Sequence, residues 1–198
     1  TQFAWGFLTL LLYRAFYRAD PSAFPMEFSQ LSSYVWLQQA FLSLFMLWFL
    51  EGDLFDAVTT GGVAYGLCRP LSLYGMWFAR SAANRVSRAV LRCVPILLVA
   101  AFLPAPYGMT LPASPAALLW WLVTMALAVT VTVGYNMLVY SITFFTVSPN
   151  GVRIVAVSLV ELLQGAIIPL PFFPDGLRQF LELLPFAAMQ NVPLRAWS

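Results

Sequence analysis

Residues 116–147 run through apolar and small polar side chains without a single charge. A helix needs ~20 residues to cross the ~30 Å hydrocarbon core of a bilayer. This stretch is therefore long enough to span a membrane, and also to tilt or protrude. The rest of the chain agrees with it. Of 198 residues, 61% are apolar and 9% are charged, and the mean hydropathy is +0.81. A soluble domain is near half apolar and about 25% charged. The excess exceeds what a larger core would need, and it fits a chain whose outer surface is covered by lipid.

Further spans are expected at residues 31–50, 86–103 and 152–170, with a shortened first one at 3–17. Trp36 and Trp48 stand near the ends of the second, where indoles favour the interface. Residues 18–29 and the proline-rich stretch 104–115 read as loops. Ser148-Pro149-Asn150-Gly151 reads as a tight turn. The expected fold is all-α: a polytopic transmembrane bundle in one domain over residues 1–198, with five spans visible. Two other segments are too polar or too short to cross. Residues 51–85 carry acids, Gly61-Gly62 and Arg69-Pro70 among many aromatics, the pattern of short amphipathic helices on a surface or a partner. Residues 171–186 are bracketed by prolines, with Asp175 placed to cap a short helix, and they read as a re-entrant or interfacial hairpin. Thr1 at the start and Trp197-Ser198 at the end are expected of a segment of a longer protein.

Several chemistries are excluded. Without histidine there is no Ser-His-Asp triad, no His-paired cysteine and no HExxH zinc site. Without lysine there is no GxxxxGK[ST] phosphate loop. The energy source must lie on another chain or in an ion gradient. Cys68 and Cys93 lack metal-site spacing and read as free thiols.

Arginine placement sets sidedness. Arg69, Arg80, Arg85, Arg88, Arg92 and Arg153 fall on one side. Arg14, Arg18, Arg178 and Arg195 fall on the other, partly balanced by Asp20, Glu27, Asp175 and Glu182. The 51–85 loop and the 148–153 turn are therefore expected in the cytoplasm. Arg80, Asn84, Arg88 and Arg92 recur every fourth residue and line one helix face, with Arg85 nearby. They are expected to contact lipid headgroups, an acidic partner, or both. Glu161 lies within the fifth span with Gln164 on the same face. An acid there turns toward protein or water, so it marks a substrate path, a subunit interface or a structural hydrogen bond. Asn136, Gln38 and Gln39 are weaker cases. Ala126, Thr130 and Gly134 form a small-residue ridge suited to helix packing.

The stretch Gly66-Leu67-Cys68-Arg69-Pro70-Leu71-Ser72, followed by an aromatic-rich run, resembles the cytoplasmic loop of type-2 ABC exporter permeases. The branch is the six-helix ABC transport permease family, often described as daunorubicin-like. Gly165, Ile168-Pro169-Leu170, Phe173-Pro174, Leu184-Pro185-Phe186 and Pro193 resemble the end of that family's fifth helix and its extracellular hairpin. The likeness covers most of the chain and is weakest before residue 30. It implies six spans, a cytoplasmic N-terminal helix before the first, and a coupling helix between spans two and three that carries motion from a separate ATPase. The matching positions lie within 51–70, with Glu51, Asp53, Asp56, Arg69 and Pro70 as docking candidates. The resemblance also implies a second permease subunit, identical or related, and ATP with magnesium on the partner ATPase, with no cofactor on this chain. It assigns nothing to Glu161. Partners are then an ABC ATPase, a permease and plasma-membrane lipid, and not nucleic acid. A passive channel or scaffold is the alternative. An intramembrane enzyme is a poorer fit, because Glu161 has no second acid within a turn.

Overall fold

A glycine decides how closely the first two helices meet. In the computed structural model, which describes residues 2–21, 24–112, 114–146 and 149–197, helix α1 (Gln2–Ala19) turns Gly6 and Leu10 inward. A Cβ on Gly6 would stand 3.0 Å from Trp36 Cζ3 and 3.2 Å from Gln39 Cγ. Helix α2 (Phe28–Ala40) is thus approached closely, and it is the axis of the fold, buried on all sides from residue 31 to 40. Thr1, Ser22, Ala23, Ala113, Val147, Ser148 and Ser198 lie outside the described residues.

The second span, expected unbroken over residues 31–50, is interrupted. Helix α2 slackens at Phe41, a short helix α3 (Leu42–Phe45) follows, and Met46 turns extended at φ −79° and ψ 137°. A 3-10 turn (Leu47–Phe49) leads to helix α4 (Gly52–Thr59) and helix α5 (Val63–Leu67). Gly61 separates these two with φ +76°, a left-handed conformation that glycine adopts without strain.

The expected 51–85 loop ends earlier than its sequence implies. The Ser72 hydroxyl accepts the Gly75 N–H at 3.3 Å, and helix α6 (Leu73–Phe102) then runs without a break into the third expected span. Its polar first half is helical because the polar side chains sit on faces that tertiary partners or solvent satisfy. Helix α7 (Pro115–Thr143) starts at Ser114, whose hydroxyl accepts the Ala117 N–H, with proline at its first position. Pro149, Asn150 and Gly151, expected in a turn, instead open helix α8 (Pro149–Leu163). That helix ends before Gly165, φ +81°, where a Cβ would meet Leu170 at 3.1 Å. The fifth span is therefore shorter than residues 152–170.

A 3-10 turn (Leu170–Phe172) leads to helix α9 (Asp175–Leu183), helix α10 (Pro185–Met189) and helix α11 (Asn191–Arg195). Asp175 is the first helical residue rather than the cap, and it pairs with Arg178 at 2.9 Å. Helices α10 and α11 fold back on α7 and bury Met189, Leu194 and Trp197.

Among the described residues every element is helical, and α7 alone is long and apolar enough to cross a membrane by length and composition. Only 28% of its most apolar window is buried, so it is not the core helix of a soluble domain. Leu119, Trp120, Leu122, Leu127 and Leu138 face outward. The ridge Ala126, Thr130 and Gly134 also faces away from the chain's own helices: nothing lies within 4 Å of a Cβ on Gly134. The loop after α6 closes over the start of α2, where Trp36 Nε1 donates to the Tyr107 carbonyl at 2.8 Å, and Trp197 Nε1 donates to Thr110 O at 2.9 Å. Helices α4 and α5 lie at the opposite end of α2, where Trp77 stacks on Phe144 after α7.

Gly6→Leu is expected to cost about 1–3 kcal/mol by forcing α1 off α2. Gly134→Leu, at an open position in the interior of α7, should melt no lower than the parent chain. Thermal unfolding of the detergent-purified protein, followed by loss of its monodisperse elution peak, measures both.

Candidate functional site

Arg85 projects from the buried face of α6 and is 1% exposed. Its Nη1 donates to the carbonyls of Ser43 at 3.2 Å, Leu44 at 3.3 Å and Met46 at 2.9 Å. Ser43 and Leu44 lie in α3 and Met46 just beyond its end, where carbonyls lack intrahelical partners. With the Asn136 amide oriented to face the guanidinium, its oxygen accepts from Nη2 at 2.8 Å and from Nε at 3.1 Å. A buried cation costs several kcal/mol unless it is surrounded by acceptors. Here the end of a broken helix, which carries partial negative charge, supplies most of them.

Glu51 occupies the other half of this network. It is 8% exposed and immediately precedes α4. Its carboxylate accepts from Ser81 Oγ at 2.9 and 3.1 Å, from Asn84 Nδ2 at 3.5 Å and from the Tyr140 hydroxyl. Its backbone N–H donates to the same Tyr140 oxygen at 2.8 Å. Ser81 and Arg85 lie one turn apart on α6, so the carboxylate and guanidinium interact electrostatically across one helix turn. The start of α4, the end of α3, α6 and α7 are thus joined by one chain of buried polar contacts.

Beyond Glu51 the polypeptide returns to the surface. Leu54 and Phe55 anchor α4, with the Phe55 ring edge-on to Tyr140 at 5.0 Å, but α5 buries no residue. Tyr65, Leu67, Leu71 and Tyr74 are all exposed, beside exposed Arg69 and Pro70. Asp53 pairs with Arg80 at the edge of a shallow groove of about 360 Å³ between α4, α5 and the start of α6. An exposed pair of this kind contributes little to stability.

A second feature opens near the end of α8. A cleft of about 320 Å³ separates α1 from the α2–α3 junction and Glu161. The Trp48 indole N–H donates to the Glu161 carboxylate, and Gln38 Nε2 donates to Ala166 O at 3.1 Å. Gln164 is fully buried beneath it, its Nε2 3.4 Å from Met46 Sδ.

The expected site residues therefore separate. Glu51 and Arg85 are interior: Glu51 is not on the docking surface, and Arg85 does not reach headgroups, because each finds its partners within the chain. Asn136 is held against Arg85 rather than lining an open path. Asp53, Asp56, Arg69, Pro70 and Arg80 remain at the surface. Arg88 lies over the Phe49 ring at 5.4 Å, and Arg92 borders a shallow pocket with Gln2 and Phe3. Glu161 faces the cleft while Gln164 stays behind its wall. Sequence reasoning missed Ser81, Tyr140 and Trp48. The signal for Ser81 is the buried series Trp77, Ser81, Arg85 and Ala89, one step round the helix from the chosen arginine face.

Arg85→Met is expected to destabilise the protein by about 3–5 kcal/mol, because the carbonyls of α3 and the Asn136 amide lose their donor. Arg85→Lys should recover only part of this, since an ammonium cannot reproduce the planar fork. The elution-based melt compares all three proteins.

Comparison with curated proteins and with solved structures gives no match. The family model described as "ABC-2 family transporter protein" matches residues 3–197, nearly the whole chain. The chain belongs to the ABC-2 transporter family, as the membrane component of a transporter whose permeases typically lack ATPase activity and generally pair with an ATPase subunit.

Proposed function

We propose that this chain is the membrane-spanning subunit of an ATP-driven exporter in the plasma membrane, moving an amphipathic substrate outward. In this reading α1, the α2–α3 segment, α6, α7 and α8 are spans of a six-span permease of the daunorubicin-like branch. The segment from α9 to α11 forms the extracellular hairpin. A second permease, identical or related, completes the pore, and ATP with magnesium is bound and hydrolysed by a separate subunit. The observation that carries this reading is the α4–α5 elbow. It exposes Tyr65, Leu67 and Leu71 at its tip while Glu51, at its root, is gripped by α6 and α7. Contiguous exposed apolar side chains on a soluble-facing surface mark an interaction site. A root tied to two long helices makes the element a lever: force applied to its tip reaches the end of α3 through Glu51, α6 and Arg85.

The arginine-rich first half of α6 lies beside the same elbow and supports its cytoplasmic placement. A passive channel or scaffold would have no use for an anchored, exposed element of this kind. It would also leak solute from liposomes without nucleotide.

Co-purification of the permease with its cognate ATPase tests the reading. Leu67→Glu combined with Arg69→Glu is expected to reduce ATPase recovery at least about tenfold, by placing a charge at the apolar Leu67 position and reversing the charge of Arg69, while the permease keeps its elution profile. Undiminished recovery with this variant, or nucleotide-independent solute leak from liposomes holding the permease alone, would overturn it.

A further inference from the structure

The cleft beside Glu161 has a chemistry that the coupling network does not use. Its polar side carries a single charge, that of Glu161. Glu161 contributes a carboxylate that receives one hydrogen bond, from Trp48. Among the described residues no guanidinium stands within ion-pair range of Glu161. A carboxylate withdrawn from water is costly unless it is paired, and a positively charged donor in the cleft meets that cost. The remaining walls mix apolar and aromatic side chains, Trp5, Leu42, Met46 and Ile167, with the uncharged polar Gln2, Thr9, Gln38 and Gln39, and both Trp5 and Trp48 are half exposed. Indole faces attract ammonium groups.

We propose that this cleft binds the head of an amphipathic ammonium compound, with Glu161 as its counter-ion and the Trp5 and Trp48 indoles beside it. A cleft of about 320 Å³ is at the lower end of the range for small-molecule sites, ~300–1,000 Å³. It takes a protonated amine with its adjoining ring or short chain, and leaves a longer tail outside between α1 and α8. An anionic amphiphile is repelled by Glu161, and an uncharged one gains at most a hydrogen bond without the charge pairing. Combined with the exporter reading, on which only this last step rests, the cleft assigns the cargo to cationic amphiphiles.

The test uses the full chain in phosphatidylcholine nanodiscs, without ATPase or nucleotide. Dansyl-labelled decylammonium and its uncharged counterpart, dansyl-labelled decanol, are titrated, and binding is read by energy transfer from tryptophan. The ammonium probe is expected to bind at least about tenfold more tightly than the alcohol, in line with close charge pairs. Glu161→Gln should remove that preference while alcohol binding and elution profile stay unchanged. Ile167→Trp, which fills the cleft without touching charge, should weaken both probes. Equal affinity for the two probes in the parent chain overturns the proposal, as does a preference that survives Glu161→Gln, or unchanged binding in Ile167→Trp. A permease that shows the preference but recovers no ATPase keeps the cleft and loses the exporter reading. One that recovers ATPase without the preference keeps the exporter and loses the cleft.

Discussion

A single buried guanidinium holds the two halves of this fold in register. Arg85 gathers the free carbonyls at the end of α3 and the Asn136 side chain of α7 into one set of contacts. Without a donor there, α3 would end in an apolar interior with its carbonyls unpaired, and that is more costly than continuing the helix. The break in the second expected span and the burial of an arginine are therefore one event. Each is tolerable because of the other.

The break has a topological consequence. It lets the chain leave the axis at Met46, pass through a 3-10 turn, and deliver Glu51 to the pocket formed by Ser81, Asn84 and Tyr140 before α4 begins. The elbow starts from a fixed point and not from a loose loop. Its outer part, from α5 to Leu71, is free of such ties and exposes the apolar side chains that the docking interpretation uses. Rigid at the root and adhesive at the tip is the physical requirement for passing motion between subunits. The cleft near Glu161 shares Met46 and the α2–α3 junction with this network.

Much of this was legible from residue order. The uncharged stretch that became α7, the end of the third span at Pro104, the glycine at 61 and the short proline-bracketed pieces near the end all carry local signals. Each depends on neighbours a few positions away. The boundary between elbow and third span was not legible. Composition put residues 73–85 in the elbow although Arg80 and Asn84 already fall on a helical face, yet α6 starts at Leu73, capped locally by Ser72, and its polar side chains are satisfied by groups more than twenty positions distant in the chain. Arg85 was read as a surface cation for the same reason: its acceptors are carbonyls of a helix end that the apolar run at 31–50 does not announce.

By itself, the sequence pointed to a helical membrane protein with no histidine or lysine, hence without an HExxH site or a GxxxxGK[ST] loop, and to an elbow beginning near residue 51. Those conclusions need only composition, missing residue types and runs of hydrocarbon length. Tertiary structure alone decided which polar residues are interior, where the second span breaks, and that Gln39, Trp48 and Glu161 share one cleft. The reason is that a buried charge or unpaired carbonyl is stable only beside its complement, and here those complements come from separate helices.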